Sequence, residues 1–125
     1  MPKPGQLTES QIQRNIVTLL SGIAEQNKFM FFSVPNERFL SWMDRKQAAI
    51  TMNKLKSMGL TPGVSDIVIA HADHAFFAEV KKPTGTQTEN QKRFMRWCEA
   101  TGCRYVIVRS IQDMLRALKD WEIIR

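Results

Sequence analysis

Asp66, Glu79 and Lys81 are the residues of this chain best placed to do chemistry. Asp66 stands just before the apolar run Ile67-Val68-Ile69-Ala70. Glu79 follows Ala75-Phe76-Phe77-Ala78, and Lys81 comes two residues later. The runs are rich in β-branched or aromatic residues and are separated by His71-Ala72-Asp73-His74, the pattern of a β-hairpin. A turn centred on Ala72-Asp73 sets Asp66 opposite Glu79, whereas one centred on Asp73-His74 sets it opposite Lys81. In the first register the two carboxylates have Cβ atoms about 4.5–5.5 Å apart. Two such charges at about 5 Å repel by roughly 3 kcal/mol at an effective dielectric of 20. A divalent cation among oxygen ligands offsets that repulsion. A structural ion triad offers another solution, because Lys81 shares a strand face with Glu79 and can neutralise the pair.

These side chains need a scaffold, and the rest of the chain reads as one. Neither apolar run alternates with polar residues, so both strands are expected to be covered on both faces. A first helix is expected from Thr8 to about Gln26, with Thr8 and Gln11 as a capping box and Ile12, Ile16, Leu19, Leu20 and Ile23 as its apolar face. Phe29 to Val34 reads as a strand stopped by Pro35-Asn36. A second helix runs from about Arg45 to Met58 and ends at Gly59. After the hairpin, closed by Pro83, come a helix from Thr88 to Thr101, a strand from Arg104 to Arg109 and a last helix capped by Ser110 and reaching Trp121. The order α-β-α-β-β-α-β-α describes a small mixed β-sheet flanked by helices, an α/β fold closing on a parallel crossover.

Two further residues carry a double reading. Glu9 suits the first turn of a helix for its charge alone, yet it shares a face with Ile12 and Ile16 and so points toward the apolar side. Gln91 completes a second capping box with Thr88, yet it also shares a face with Phe94, Met95 and Cys98.

Gly63, Asp66, Glu79-Val80-Lys81 and Gln91 resemble the PD-(D/E)XK nuclease core, and more narrowly its VRR-Nuc (virus-type replication-repair nuclease) branch. The E-x-K element alone is common. The order Glu9, Pro62-Gly63, Asp66, Glu79-x-Lys81, Gly85, Gln91 is much more specific, and the resemblance runs from about Thr8 to Trp121. Ser65 stands where a proline is expected before the aspartate, a change that affects the turn rather than the metal acid. The resemblance implies a restriction-endonuclease-like fold and phosphodiester hydrolysis. Asp66, Glu79 and the carbonyl of Val80 would hold Mg²⁺ or Mn²⁺, with Glu9 as a third acid. Lys81 and Gln91 would orient water or phosphate, and Gly85 would let its loop approach DNA.

Composition fits that reading. The 125 residues are expected to form one domain, with 43% hydrophobic content, 9% aromatics and a net charge of +6 that favours a polyanionic partner, nucleic acid before membrane. No apolar run approaches the ~20 residues of a membrane span. Met1-Pro2-Lys3-Pro4-Gly5 has no signal-peptide pattern, so the chain is expected to be soluble and cytoplasmic, in a bacterial cell or a phage-infected host. Cys98 and Cys103 lack partners at zinc spacing and read as free thiols in a reducing compartment. His71, Asp73 and His74 read as a polar hairpin tip before a metal cluster.

Substrate contacts fall to the basic residues. Arg38, Arg45, Lys46, Lys54 and Lys56 surround the second helix, and Lys82, Lys92, Arg93 and Arg96 follow the E-x-K strand. Without an element for reading base edges, recognition of DNA shape is expected. The function expected is a metal-dependent, structure-selective endonuclease acting on branched DNA such as Holliday junctions. A restriction-like nuclease or nickase, and a non-catalytic basic DNA-binding protein, are the alternatives. A two-fold homodimer is expected because two symmetric nicks need two sites, with Phe39, Leu40, Trp42, Met43, Ile123 and Ile124 as spare apolar surface.

Overall fold

Thr8 starts the first helix by the expected reciprocal cap: its hydroxyl accepts from the Gln11 N–H, and the Gln11 side chain accepts from the Thr8 N–H. Helix α1 then runs Glu9–Ile23 and buries Ile12, Ile16 and Leu20. The structure, a computed structural model, describes residues 6–35 and 40–125. Arg38 and Phe39 lie outside the described residues.

The remaining elements follow in the expected order. They are β1 (Phe29–Ser33), α2 (Arg45–Ser57), β2 (Ile67–His71), β3 (His74–Val80), α3 (Glu89–Thr101), β4 (Arg104–Val108) and α4 (Ile111–Asp120). Each of the last three helices begins at a side-chain cap, from Asp44, Thr88 and Ser110. Gly102 ends α3 with φ +80, a left-handed conformation that glycine takes without a Cβ penalty.

The four strands form one sheet in the order β1-β2-β3-β4. The first two pairings are antiparallel and β3–β4 is parallel, across α3. The hairpin register is settled by pairing Ile67 with Ala78 and His71 with His74. Ala72 and Asp73 are therefore the two loop residues, and the same register extended by one step sets Asp66 opposite Glu79. Ala72 takes φ +55 there.

One sheet face carries Phe29, Ile67, Ile69, Phe76, Ala78, Val80 and Val108 into a core with Ile12, Ile16 and Leu20 of α1 and Met114, Ala117 and Leu118 of α4. Full burial of each large apolar side chain contributes about 1.5–3 kcal/mol, so this face supplies most of the hydrophobic stabilisation. The other face of β2 and β3 is covered too, as expected of these strands, with Val68 and Glu79 buried and Phe77 half-buried. Phe94 of α3 packs on both Phe77 and Tyr105. Met30 and Phe32 of the edge strand β1 remain exposed. Helix α2 buries none of its residues, because its sequence has too few apolar positions to form a stripe.

The expected spare apolar surface is corrected in part. Leu40 and Ile123 are buried, and Ile124 packs against the core. Trp42 stays 76% exposed. No helix among the described residues is long and apolar enough to cross a membrane.

Candidate active site

The antiparallel register brings the two acids together, and local hydrogen bonds hold them. Asp66 directly precedes β2, where its carbonyl accepts from the Val34 N–H at 3.0 Å. Its Oδ2 accepts from the Val80 N–H at 2.8 Å, which ties the start of β2 to the end of β3. Ser65, fully buried, donates from Oγ to the Ile67 carbonyl at 3.2 Å. A serine in place of proline thus gives this turn a side-chain hydrogen bond.

Asp66 is 2% exposed and Glu79 is 1% exposed. Charged groups this deeply buried are costly to desolvate and persist where something in the fold compensates them. Lys81, 6% exposed, lies just beyond β3, and its N–H donates to the Val108 carbonyl at 3.0 Å. Strand alternation carried one step past β3 puts its side chain on the Glu79 face.

Gln91 does both of the things its sequence position allows. Its Oε1 accepts from the Thr88 N–H at 2.9 Å, closing the cap of α3. Its Nε2 donates to Glu79 Oε2 at 3.2 Å. The planar amide has one acceptor end and one donor end, so a single side chain fixes the helix start and an acid on the sheet.

Asp66, Glu79 and Gln91 face a cleft of about 280 Å³ that Glu9 also lines, whereas the buried Lys81 is not one of its lining residues. Met52 and Lys56 of α2, Pro62, Gly63 and Asn90 complete much of the rest. Among the described residues, no three His, Cys, Asp or Glu side chains form a group able to hold a metal ion. Glu9 therefore stands in the wall without completing a three-acid set. Gly85 matters here for space, because a Cβ on it would lie 3.2 Å from Glu9 Oε2. Gly63 is constrained harder. It has φ +87, and a Cβ there would come within about 2.3 Å of the backbone of Asn90.

Of the expected cations among the described residues, one lines this cleft. Lys56 lines it, while Arg45, Lys46, Lys54, Arg93 and Arg96 are exposed. Lys82 is half-buried, and Lys92 pairs with Glu89 at 3.4 Å. His74 pairs with Asp73 at the exposed hairpin tip. Cys98 and Cys103 are free thiols, and burial, helped by Cys103 and Glu99, pushes the Cys98 thiol up to about 11.

Three participants escaped the sequence reading. Asn90 and Met52 line the cleft, and only the fold brings them beside Asp66. Tyr105 accepts a hydrogen bond from Gln87 Nε2 at 3.1 Å. Burial and then the Glu79 carboxylate push its phenol well above the usual range. The paired Glu79–Ile107 and Phe77–Tyr105 register positions were the signal available, once β3 and β4 were taken as parallel.

The two buried acids form an oxygen-only donor set that suits a hard divalent cation such as Mg²⁺ or Mn²⁺ better than zinc. No histidine or cysteine lines the cleft.

No family model and no curated protein matches the sequence. A solved structure described as a VRR_NUC domain protein matches with TM-score 0.67 and 18% identity, over 95% of this chain and 92% of that one. The fold expected from the motif order is the fold found, and this chain shares the architecture of a VRR_NUC domain protein.

Proposed function

We propose that the chain is a divalent-metal-dependent, structure-selective DNA endonuclease of the VRR-Nuc type, acting on branched DNA such as Holliday junctions. The observation that carries this reading is the pair of buried acids, Asp66 and Glu79, at the wall of an open cleft in a protein of net charge +6. Asp66, Glu79 and the Val80 carbonyl would hold the cation, with Glu9 adding negative charge from the cleft wall. A bound divalent cation supplies Lewis acidity at the scissile phosphodiester and makes water a stronger acid.

The chain's own groups do the rest. Gln91 holds Glu79 in one orientation through its Nε2. Lys81 offsets the charge of the two acids and, at the scissile phosphate, the charge that grows during hydrolysis. Lys56 and the exposed cations of α2 and α3 hold the phosphate backbone. A two-fold homodimer would present two such sites to opposed strands, and the exposed Trp42 is one apolar side chain open to that contact. Soluble, cytoplasmic placement belongs to this reading.

A second reading, a non-catalytic DNA-binding protein with Asp66, Glu79 and Lys81 as a structural triad, is favoured by the burial of Lys81. Cleavage assays decide between them, using four-way junctions, flaps, nicked and linear duplexes with Mg²⁺, Mn²⁺ or EDTA. Metal-dependent paired nicking of the junction is expected. Loss of a phosphate contact in Lys92→Ala should lower the slope of log affinity against log salt by about 0.9, whereas Lys81→Ala should lower turnover and leave binding intact. Binding without cleavage under every metal condition would establish the second reading.

A further inference from the structure

One aromatic side chain on α3, the helix whose first turn lines the cleft, is left open by the fold. Trp97 on α3 is 52% exposed, and its indole stacks on Phe94 with ring centroids 5.9 Å apart. Phe94 in turn packs edge-on against Phe77 of the sheet at 5.2 Å. The indole is therefore anchored on one side and open to solvent over half its surface.

Its position on the helix connects it to the cleft. Asn90, which lines the cleft, lies seven residues before Trp97, and that spacing returns to the same helical stripe about 10 Å farther along the axis. Arg93 lies one turn before Trp97 on that side, and Arg96 is its neighbour in sequence; both are exposed. Met52 and Lys56 of α2 also line the cleft, and α2 carries Arg45, Lys46, Lys54 and Lys56 and no acidic residue. An aromatic face flanked by cations, on the helix that lines the cleft with its first turn, matches the way single-stranded nucleic acid is held: cations follow the backbone and a base stacks on the ring.

We infer that Trp97, flanked by Arg93 and Arg96, is a stacking platform for an unpaired base of the nucleic acid that enters the Asp66–Glu79 cleft. This rests on the nuclease reading above and adds that the strand leaving the cleft along α3 is unpaired. Trp97 is then a specificity residue for DNA with exposed bases, such as a branch point.

The test uses the Asp66→Asn chain in EDTA, so that binding is read without cleavage. Short oligothymidylate and a blunt duplex are titrated separately, following tryptophan fluorescence and anisotropy of the labelled DNA. Oligothymidylate should quench the fluorescence, and adding Trp97→Ala should weaken its binding about 5- to 100-fold while duplex binding changes by less than about twofold. Trp97→Phe should keep most of the affinity, since a phenyl ring still stacks. Equal losses for single strand and duplex, or no loss for either, would overturn the platform. Conversion of a dimer to a monomer by Trp97→Ala in light scattering would also overturn it, making this face a contact between copies. If the parent chain cleaves nothing while the Trp97 effect persists, the nuclease reading falls and the platform stands. Cleavage by the parent with no Trp97 effect gives the reverse.

Discussion

The two faces of the sheet are built from the same strands and obey different rules. On the α1–α4 face, apolar side chains meet apolar side chains, with Ile16, Leu20, Ile67, Ile69, Met114 and Leu118 sealed from solvent. On the α3 face, Asp66, Glu79 and Lys81 are buried nearly as deeply, while Trp97 of α3 stays half-exposed and α2 buries nothing. The first face recovers free energy from hydrophobic burial, and the second uses part of that stability to keep like charges close together. That asymmetry is common where a site needs groups that do not suit a core.

The strongest test of the asymmetry is to remove one charge from the acid pair. Asp66→Asn or Glu79→Gln should take cleavage below detection and leave junction binding within a few fold, because neither carboxylate attracts a polyanion. Thermal stability should hold or rise, since one of two neighbouring like charges is gone. An active Asp66→Asn protein would sink the mechanism. The opposite face should answer in the opposite way. Leu20→Ala should cost about 2–5 kcal/mol in denaturant unfolding and leave the activity of the folded fraction unchanged.

Gly63→Ala should fall between these outcomes. Its positive φ and the Asn90 backbone behind it mean that a methyl group forces the start of α3 to move. A loss of about 1–3 kcal/mol is expected, with a fall in turnover as Gln91 is drawn off Glu79. Wild-type turnover in a destabilised Gly63→Ala protein would show that the Gln91–Glu79 bond is not needed.

The smallest effect concerns Cys98, on the underside of α3. Burial raises its folded-state pKa from 9.0 to about 11, so the folded chain keeps a proton that the unfolded chain loses. The stability this provides is complete below about 9 and is lost as pH rises toward about 11. Urea midpoints across that window should fall less steeply for Cys98→Ala than for the parent. Identical slopes would show that the thiol is not protected.

Much of this was legible because it is local. The Thr8–Gln11 and Thr88–Gln91 caps close over three residues, and Gly102 stops α3 where a left-handed residue is needed. The helical repeat of Ile12, Ile16 and Leu20 identified the core face of α1 because burial follows the 3.6-residue turn. Asp66, Glu79 and Lys81 were readable as a group since a hairpin offers only a few registers.

What depended on distant parts of the chain was not legible. Two registers satisfied the hairpin sequence. The folded sheet adopts the one in which Asp66 accepts from the Val80 N–H, fourteen residues away. Leu40 and Ile123 looked like spare apolar surface until their own core covered them. Residue types, caps and periodicity were thus determined by the sequence itself, because each depends on hydrogen bonds and sterics within a turn or two of chain. Only the tertiary structure decided that Gln91 reaches Glu79, that Asn90 abuts Gly63 and that Lys56 lines the same cleft as the acids. Each of those contacts joins segments that are separate along the chain and meet only when the whole core packs.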